Sequence, residues 1–282
     1  MTIRRGVKAH KESTMKATRI WFSDHINPCR ALSFTEYRAS SVTGRRLGFI
    51  RQAKYTKLID LQRSEEEILA GFSPDTRRLI RRAEMEGVLY EESKNVDDFV
   101  RFFNTFARQK KLSLWLNAER LRQSGDTYRI TRALKEGEVL FAHLYLCNEK
   151  HRRAVLFCSA SGRLTSVSKA VISSANRGLH YFDMRLLKAG GFHVYDMGGY
   201  ALATKNPSLK KINYFKDQFG GSLVCETNYR SIPFYAVWVV SRIYYRALTR
   251  VAARMTESSI LRHFTALRVL IAPLILQAFA IT

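Results

Sequence analysis

Cysteine is scarce in this 282-residue chain. Cys29, Cys147, Cys158 and Cys225 lie far apart, with no Cys-x-x-Cys and no Cys/His pair at ligand spacing. That pattern argues against a disulfide framework or a cysteine-based zinc site and predicts a reduced, cytoplasmic setting. Long apolar runs are missing too. A membrane-spanning helix needs about 20 consecutive apolar residues, whereas the nearest stretch, residues 269–281, is shorter and broken by Pro273. The basic N-terminal segment lacks the apolar core of a secretory signal. No strand leads into Gly-x-Gly-x-x-Gly and no Gly-x4-Gly-Lys-Ser/Thr loop occurs, which removes the usual dinucleotide and nucleoside-triphosphate folds. No Ser/His/Asp or Cys/His constellation is legible either. His143, His180 and His193 have no partner at motif spacing and read as packed or surface residues. Acidic residues are few, 24 against 47 basic ones, a net charge of +23. Such a surplus predicts attraction to polyanions: nucleic acid, anionic lipid headgroups or a phosphorylated substrate.

What is present is enough for a folded core, with 46% hydrophobic and 12% aromatic residues. Residues 1–15 read as a basic leader. Strand-like segments follow at 18–22, 45–50 and 55–61, rich in β-branched and aromatic types. Ser64 with Glu67 forms a capping box, and a second helix opens at Ser73-Pro74-Asp75 and stops at Gly87. A strand is expected at 87–90. Asn95 then opens an amphipathic helix carrying Val96, Phe99, Phe103 and Phe106 on one face. Beyond it we expect a helix at 117–134, strands at 139–147 and 153–159, and a helix at 168–188 ended by Gly190-Gly191. A strand running into Gly198-Gly199, a short helix after Asn206-Pro207 and a last strand complete the series. A hairpin feeding a helix and then further strands is an α+β layout, with helices flanking one mixed sheet.

Two segments carry candidate chemistry. In Tyr195-Asp196-Met197-Gly198-Gly199, a strand ends in a carboxylate and two glycines, which let backbone approach a ligand without a Cβ in the way. The same residues also suit a plain turn capped by Asp196. In Phe215-Lys216-Asp217-Gln218-Phe219, one lysine lies beside two aromatics spaced four apart. Such a lysine can stabilise an oxyanion or bind a phosphate, or can snorkel its charge to water.

Residues 55–229 resemble the Fem family of peptidyltransferases, relatives of the GNAT-like acyl-CoA N-acyltransferases. The matching blocks are LIDLQRSEEEILAGFSPDTRRLIRRAEMEGV, DDFVRFFNTFARQKKL, SSANRGLHYFDMRLLKAGGFHVYDMGG and NYFKDQFGG. The last matches the family's Phe-Lys-x-x-Phe-Gly-Gly signature. The resemblance implies a GNAT-like mixed sheet and transfer of an aminoacyl or acyl group to an amine of a cell-envelope precursor, as in peptidoglycan bridge formation. The implied donor is aminoacyl-tRNA or acyl-CoA, with no permanently bound cofactor and no metal. It places Lys216 and Phe215 at the reaction centre, Lys216 on the tetrahedral intermediate, with Asp196, Gly198 and Gly199 as pocket walls. Asp196 could also steer the incoming ammonium or relay its proton. One alternative is acyl-CoA-dependent N-acylation of an amino sugar in surface polysaccharide synthesis. Another is a non-catalytic RNA- or membrane-binding module on the same fold.

Composition marks off the leader (1–15) and a basic tail (231–282), and the resemblance divides the rest into an abbreviated N-terminal lobe (16–94) and the acyltransferase domain (95–230). Arg77, Arg78, Arg81 and Arg82 crowd one short helix, where they pair with acidic neighbours or grip a phosphate. From residue 229 onward there are seven arginines, no lysine and one acid. Arg242, Arg246, Arg250 and Arg254 recur every four residues amid apolar side chains. This predicts a basic amphipathic helix lying on the anionic inner face of the cell membrane.

Overall fold

The computed structural model describes residues 17–112, 114–123, 128–162 and 168–252. The leader, Arg254 and the apolar stretch 269–281 lie outside the described residues. Nine strands hydrogen-bond into one mixed sheet in the order Thr18–Trp21, Thr35–Ser40, Ser222–Ser231, Phe49–Asp60, Val194–Tyr200, Arg153–Ser161, Glu138–Asn148, Tyr128–Lys135, Leu89–Ser93, and seven α-helices accompany it among the described residues.

The chain forms two compact units. One joins residues 17–51 to the described residues from 228 onward. It contains β1 (Thr18–Trp21), a 3-10 turn (Pro28–Leu32), β2 (Thr35–Ser40) and α7 (Ile232–Ala252). Ile26, Tyr37, Phe49 and Tyr229 make its small core. Beside that core the buried Glu36 accepts from Arg19 at 3.2 Å, Arg38 at 2.8 Å and Arg230 at 2.7 Å. Burial alone would raise the Glu36 carboxyl, but the three guanidiniums outweigh it and hold it below the usual range. The 3-10 turn and β2 have no counterpart in the sequence expectation.

The second unit, residues 52–227, carries the candidate chemistry. β3 (Phe49–Asp60) is one twelve-residue strand where the composition suggested two. Arg51, Gln52 and Lys54 are polar, yet the strand runs through them, so side-chain type does not decide their conformation. α1 (Glu65–Ala70) begins with the expected capping box: Glu67 N–H donates to Ser64 Oγ, and Ser64 N–H donates to the Glu67 carboxylate. α2 (Pro74–Met85) starts from Ser73 with proline in its first turn. β4 (Leu89–Ser93) and α3 (Val96–Gln109), capped by Asn95, follow as expected. The expected helix at 117–134 is corrected. Only Ala118–Gln123 is helical (α4), and Tyr128–Lys135 is a strand, β5. Ile130 and Thr131 are β-branched and both buried, and β5 is paired along its length by β4 and β6, so pairing overrides helical spacing.

β6 (Glu138–Asn148) and β7 (Arg153–Ser161) form the expected hairpin. α5 (Lys169–Ala189) crosses over to β8 (Val194–Tyr200), which runs parallel to β7. α6 (Pro207–Asp217) and residues 222–227 of β9 (Ser222–Ser231) complete the unit. Ala142 and Leu144 of β6 pack with Phe99 and Phe103 of α3, while Tyr145 packs with Met184 and Leu187 of α5. The period of two along the strand thus sends alternate residues to opposite layers. No helix among the described residues is long and apolar enough to cross a membrane.

Candidate active site

The site is built at the end of β8. Its parallel ladder with β7 ends at the pair Val155 and Asp196, and both strands run on beyond that point. Alternation places Tyr195 and Asp196 on opposite faces of β8. Asp196 is buried and fully engaged. One carboxylate oxygen accepts from the Arg153 guanidinium through Nε at 3.2 Å and again through Nη2. The other accepts from the Thr56 hydroxyl and from the Gly198 N–H at 2.8 Å. Arg153 in turn reaches Glu226 through Nη1 at 2.5 Å.

Gly198 has φ +73°, and a Cβ there would lie 3.0 Å from the Leu156 carbonyl oxygen. Both facts call for glycine. The strand does not end at these glycines but runs through them with a register shift, and presents two carbonyls toward α6, where Lys216 Nζ donates to Gly198 O at 2.9 Å and to Gly199 O at 2.7 Å. Lys216 is only 8% exposed. Burial lowers its pKa to about 8, and the charge on Asp196 offsets part of that effect. An ammonium has three donors, so two carbonyls leave one N–H without a partner among the described residues. A Cβ on Gly199 would meet nothing within 4 Å, so that side of the strand is open.

Phe215 near the end of α6 and Phe219 two residues beyond it lie with their rings 5.2 Å apart, and both contact the His180 ring of α5, at 5.4 and 5.0 Å. Arg177, one turn earlier on α5, places its guanidinium 5.2 Å from the centre of the Phe215 ring. Lys216 therefore meets Gly198 and Gly199, and Asp196 holds Gly198, while Phe215 stands beside Lys216 in the chain and packs on His180. The arginines of α2 are dispersed. Arg77 donates to the carbonyls of Ala70 at 3.0 Å and Phe72 at 2.9 Å, Arg78 pairs with Asp75, and Arg82 with Glu86. Arg78 and Arg82 also line an open surface cleft of about 660 Å³ with Met85, Glu86 and Lys135. Arg81 is exposed. In the other unit, α7 carries Arg242 stacked 4.7 Å from the Trp238 ring, with Arg230 at 4.6 Å from that same ring. Arg246 and Arg250 fall within α7, and their side chains lie outside the description.

The structure also shows a buried polar cluster that the sequence reading passed over. Tyr145 OH donates to Asp183 at 2.6 Å and lies 2.7 Å from Tyr195 OH, which is 2.5 Å from His180 Nδ1. His143 joins through Nδ1 to Asp183 at 2.7 Å and through Nε2 to Asn176 at 3.2 Å. His180, expected as an ordinary packed histidine, is indeed buried, but it links this cluster to Phe215. Burial, with the charges of His143, Lys216 and Arg177 adding to it, holds its pKa well below the usual range. The signal was available in spacing: His143 and Tyr145 share a strand face, and Asn176, His180 and Asp183 share a helical face.

No protein-family model and no curated protein matches this chain. Among solved structures it is similar to FemX, with a TM-score of 0.53 and 13% identity over 68% of each chain. It is also similar to the C-terminal domain of a putative lysylphosphatidylglycerol synthetase from Agrobacterium fabrum, at TM-score 0.49 and 12% identity over 70% of this chain and 67% of that one. A third structure, L-PGS from Bacillus licheniformis, gives TM-score 0.49 and 13% identity over 73% and 71%. At these identities the likeness speaks to fold alone: a mixed sheet flanked by helices, similar to that of FemX.

Proposed function

We propose that this protein is an N-acyltransferase that moves an aminoacyl or acyl group from an activated donor to an amine of a cell-envelope precursor. The observation that supports it best is the buried ammonium of Lys216, fixed by two glycine carbonyls on a FemX-like fold with one donor to spare. Attack of an amine on an ester or thioester carbonyl creates an oxyanion and releases a proton. A preorganised N–H in a water-poor setting is suited to that oxyanion. Lys216 takes that role in our reading, and Phe215 forms the adjacent wall. The four hydrogen bonds on Asp196 fill its acceptor directions, so we assign it to holding Gly198 in place rather than to relaying a proton.

The donor is aminoacyl-tRNA or acyl-CoA and the acceptor a phosphorylated or lipid-linked amine, with the arginines of α7 drawing the protein to an anionic membrane surface. The test is titration of the purified chain with acetyl-CoA and with a mixed aminoacyl-tRNA pool, each followed by transfer of labelled acyl group to amine acceptors. Salt-sensitive tRNA binding with transfer supports the aminoacyl branch. Saturable CoA binding with transfer supports the acyl-CoA branch. Binding of neither, with no transfer, overturns the proposal.

A further inference from the structure

Arg177 stands out among the arginines of this unit. It is half-buried, and no ion pair reaches it among the described residues. Its hydrogen bonds run from Nη1 to its own helix, at 3.2 Å to Ser173 O and 2.8 Å to Ser173 Oγ. Its Nε is sealed from solvent and has no acceptor. A sealed donor without an acceptor is costly, and no bonded carboxylate offsets the charge on the group that carries it. The face of Phe215 beneath it compensates only in part. Asp75, the carboxylate whose charge Arg177 feels, is bonded to Arg78 instead.

The placement is what gives this meaning. Phe215 carries Arg177 on its ring and precedes Lys216 in the chain, and His180 feels the charge of both cations while remaining neutral itself. The ring of Phe215 thus carries one cation and its chain neighbour Lys216 is the second, with no carboxylate bonded to Arg177 to neutralise it. A planar guanidinium fork matches a phosphate's oxygens. Nη1 reaches solvent while Nε is sealed, so a ligand that approaches along α5 toward Phe215 meets the guanidinium edge, a geometry that suits the phosphate of a nucleotide.

We propose that Arg177 binds a nucleotide phosphate of the acyl donor in the Lys216 site. This rests on the acyltransferase reading and deepens it, by naming the group that holds the donor beside the oxyanion lysine. The probes are coenzyme A and a 5′-phosphorylated RNA trinucleotide, titrated into the full chain, with phosphatidylglycerol vesicles as a third arm. One nucleotide should bind wild type, and R177Q should weaken it at least about tenfold and reduce the salt slope by about one. R177K, which keeps the charge and loses the fork, should fall between them.

Nucleotide binding equal in wild type and R177Q overturns the proposal. So does failure of both nucleotides to bind wild type, or an effect of R177Q on vesicle binding alone. R177K provides the reading if R177Q does not fold. Transfer assays separate the two levels: transfer that K216A abolishes, with R177Q unaffected in nucleotide binding, would remove the phosphate subsite and leave the acyltransferase reading standing.

Discussion

Lys216 and Gly198 are held together by a 2.9 Å hydrogen bond from ammonium to carbonyl, made possible by the left-handed backbone of the glycine. A helix from late in the chain is thereby latched to the end of a sheet strand. The lysine is fixed without a carboxylate hydrogen-bonded to it, so its charge remains available to a reacting group.

Lys216→Ala should reduce turnover by about 10²-fold or more, the scale of losing one oxyanion donor, while the protein remains folded. Steady-state kinetics together with a thermal melt check this. Near-normal turnover in a folded variant would refute the oxyanion role.

The lowered pKa of Lys216 has two consequences with definite sign. Its charged form fades as pH rises through about 8, so kcat/KM should turn downward there. The acceptor amine gains reactivity over the same range, so the limb is read against Lys216→Arg, which should lack it. For stability, the unfolded lysine titrates near its ordinary 10.5 and the folded one near 8. Between those values the unfolded chain binds more protons, so this group's contribution to stability rises with pH in that window and is constant below it. Urea unfolding of wild type and Lys216→Met at pH 7.5 and 9.5, about half a unit below and 1.5 above the folded value, tests the sign.

Gly198→Ala should destabilise the fold by about 1–3 kcal/mol, since a side chain is strained at that φ and crowds the Leu156 carbonyl. Gly199→Ala meets open space and should change stability by less than about 0.5 kcal/mol. Equal melting temperatures for the two variants would contradict this account of the two glycines.

Asp183→Ala leaves Tyr145 OH and His143 Nδ1 without their shared acceptor in a fully buried site. At about 1–3 kcal/mol per orphaned group, the loss should approach 3 kcal/mol or more. Denaturant titration measures it, and a loss below about 1 kcal/mol would show that the cluster reorganises or is hydrated.

Replacing Arg242, Arg246 and Arg250 together by glutamine should weaken binding to phosphatidylglycerol vesicles by about 100-fold, at about 1 kcal/mol per residue. Binding to neutral phosphatidylcholine should not change. Vesicle sedimentation that gives the same partition for variant and wild type would remove the membrane role of α7.

The elements legible in the sequence were those with local chemistry of their own. Ser64, Ser73, Asn95 and Ser168 mark helix starts because each accepts a hydrogen bond from its own first turn. β5 differs from the expectation because Ile130 and Leu134, four apart, also suit a helix, and only pairing with β4 and β6 decides the matter. Within the site, Lys216, Asp196 and the two glycines were found through their motif. Arg177 and the Tyr145–Tyr195–His180 chain were not, because their meaning lies in contacts between α5, β6, β8 and α6 that no single segment carries.

The hydroxyl chain under the site also has a direction. Tyr145 spends its only hydrogen on Asp183, so it must accept from Tyr195, and Tyr195 in turn must accept from His180. The neutral imidazole therefore carries its hydrogen on Nδ1 and keeps a bare lone pair on Nε2. A carboxylate three residues along α5 selects the histidine's tautomer through two phenols borrowed from neighbouring strands.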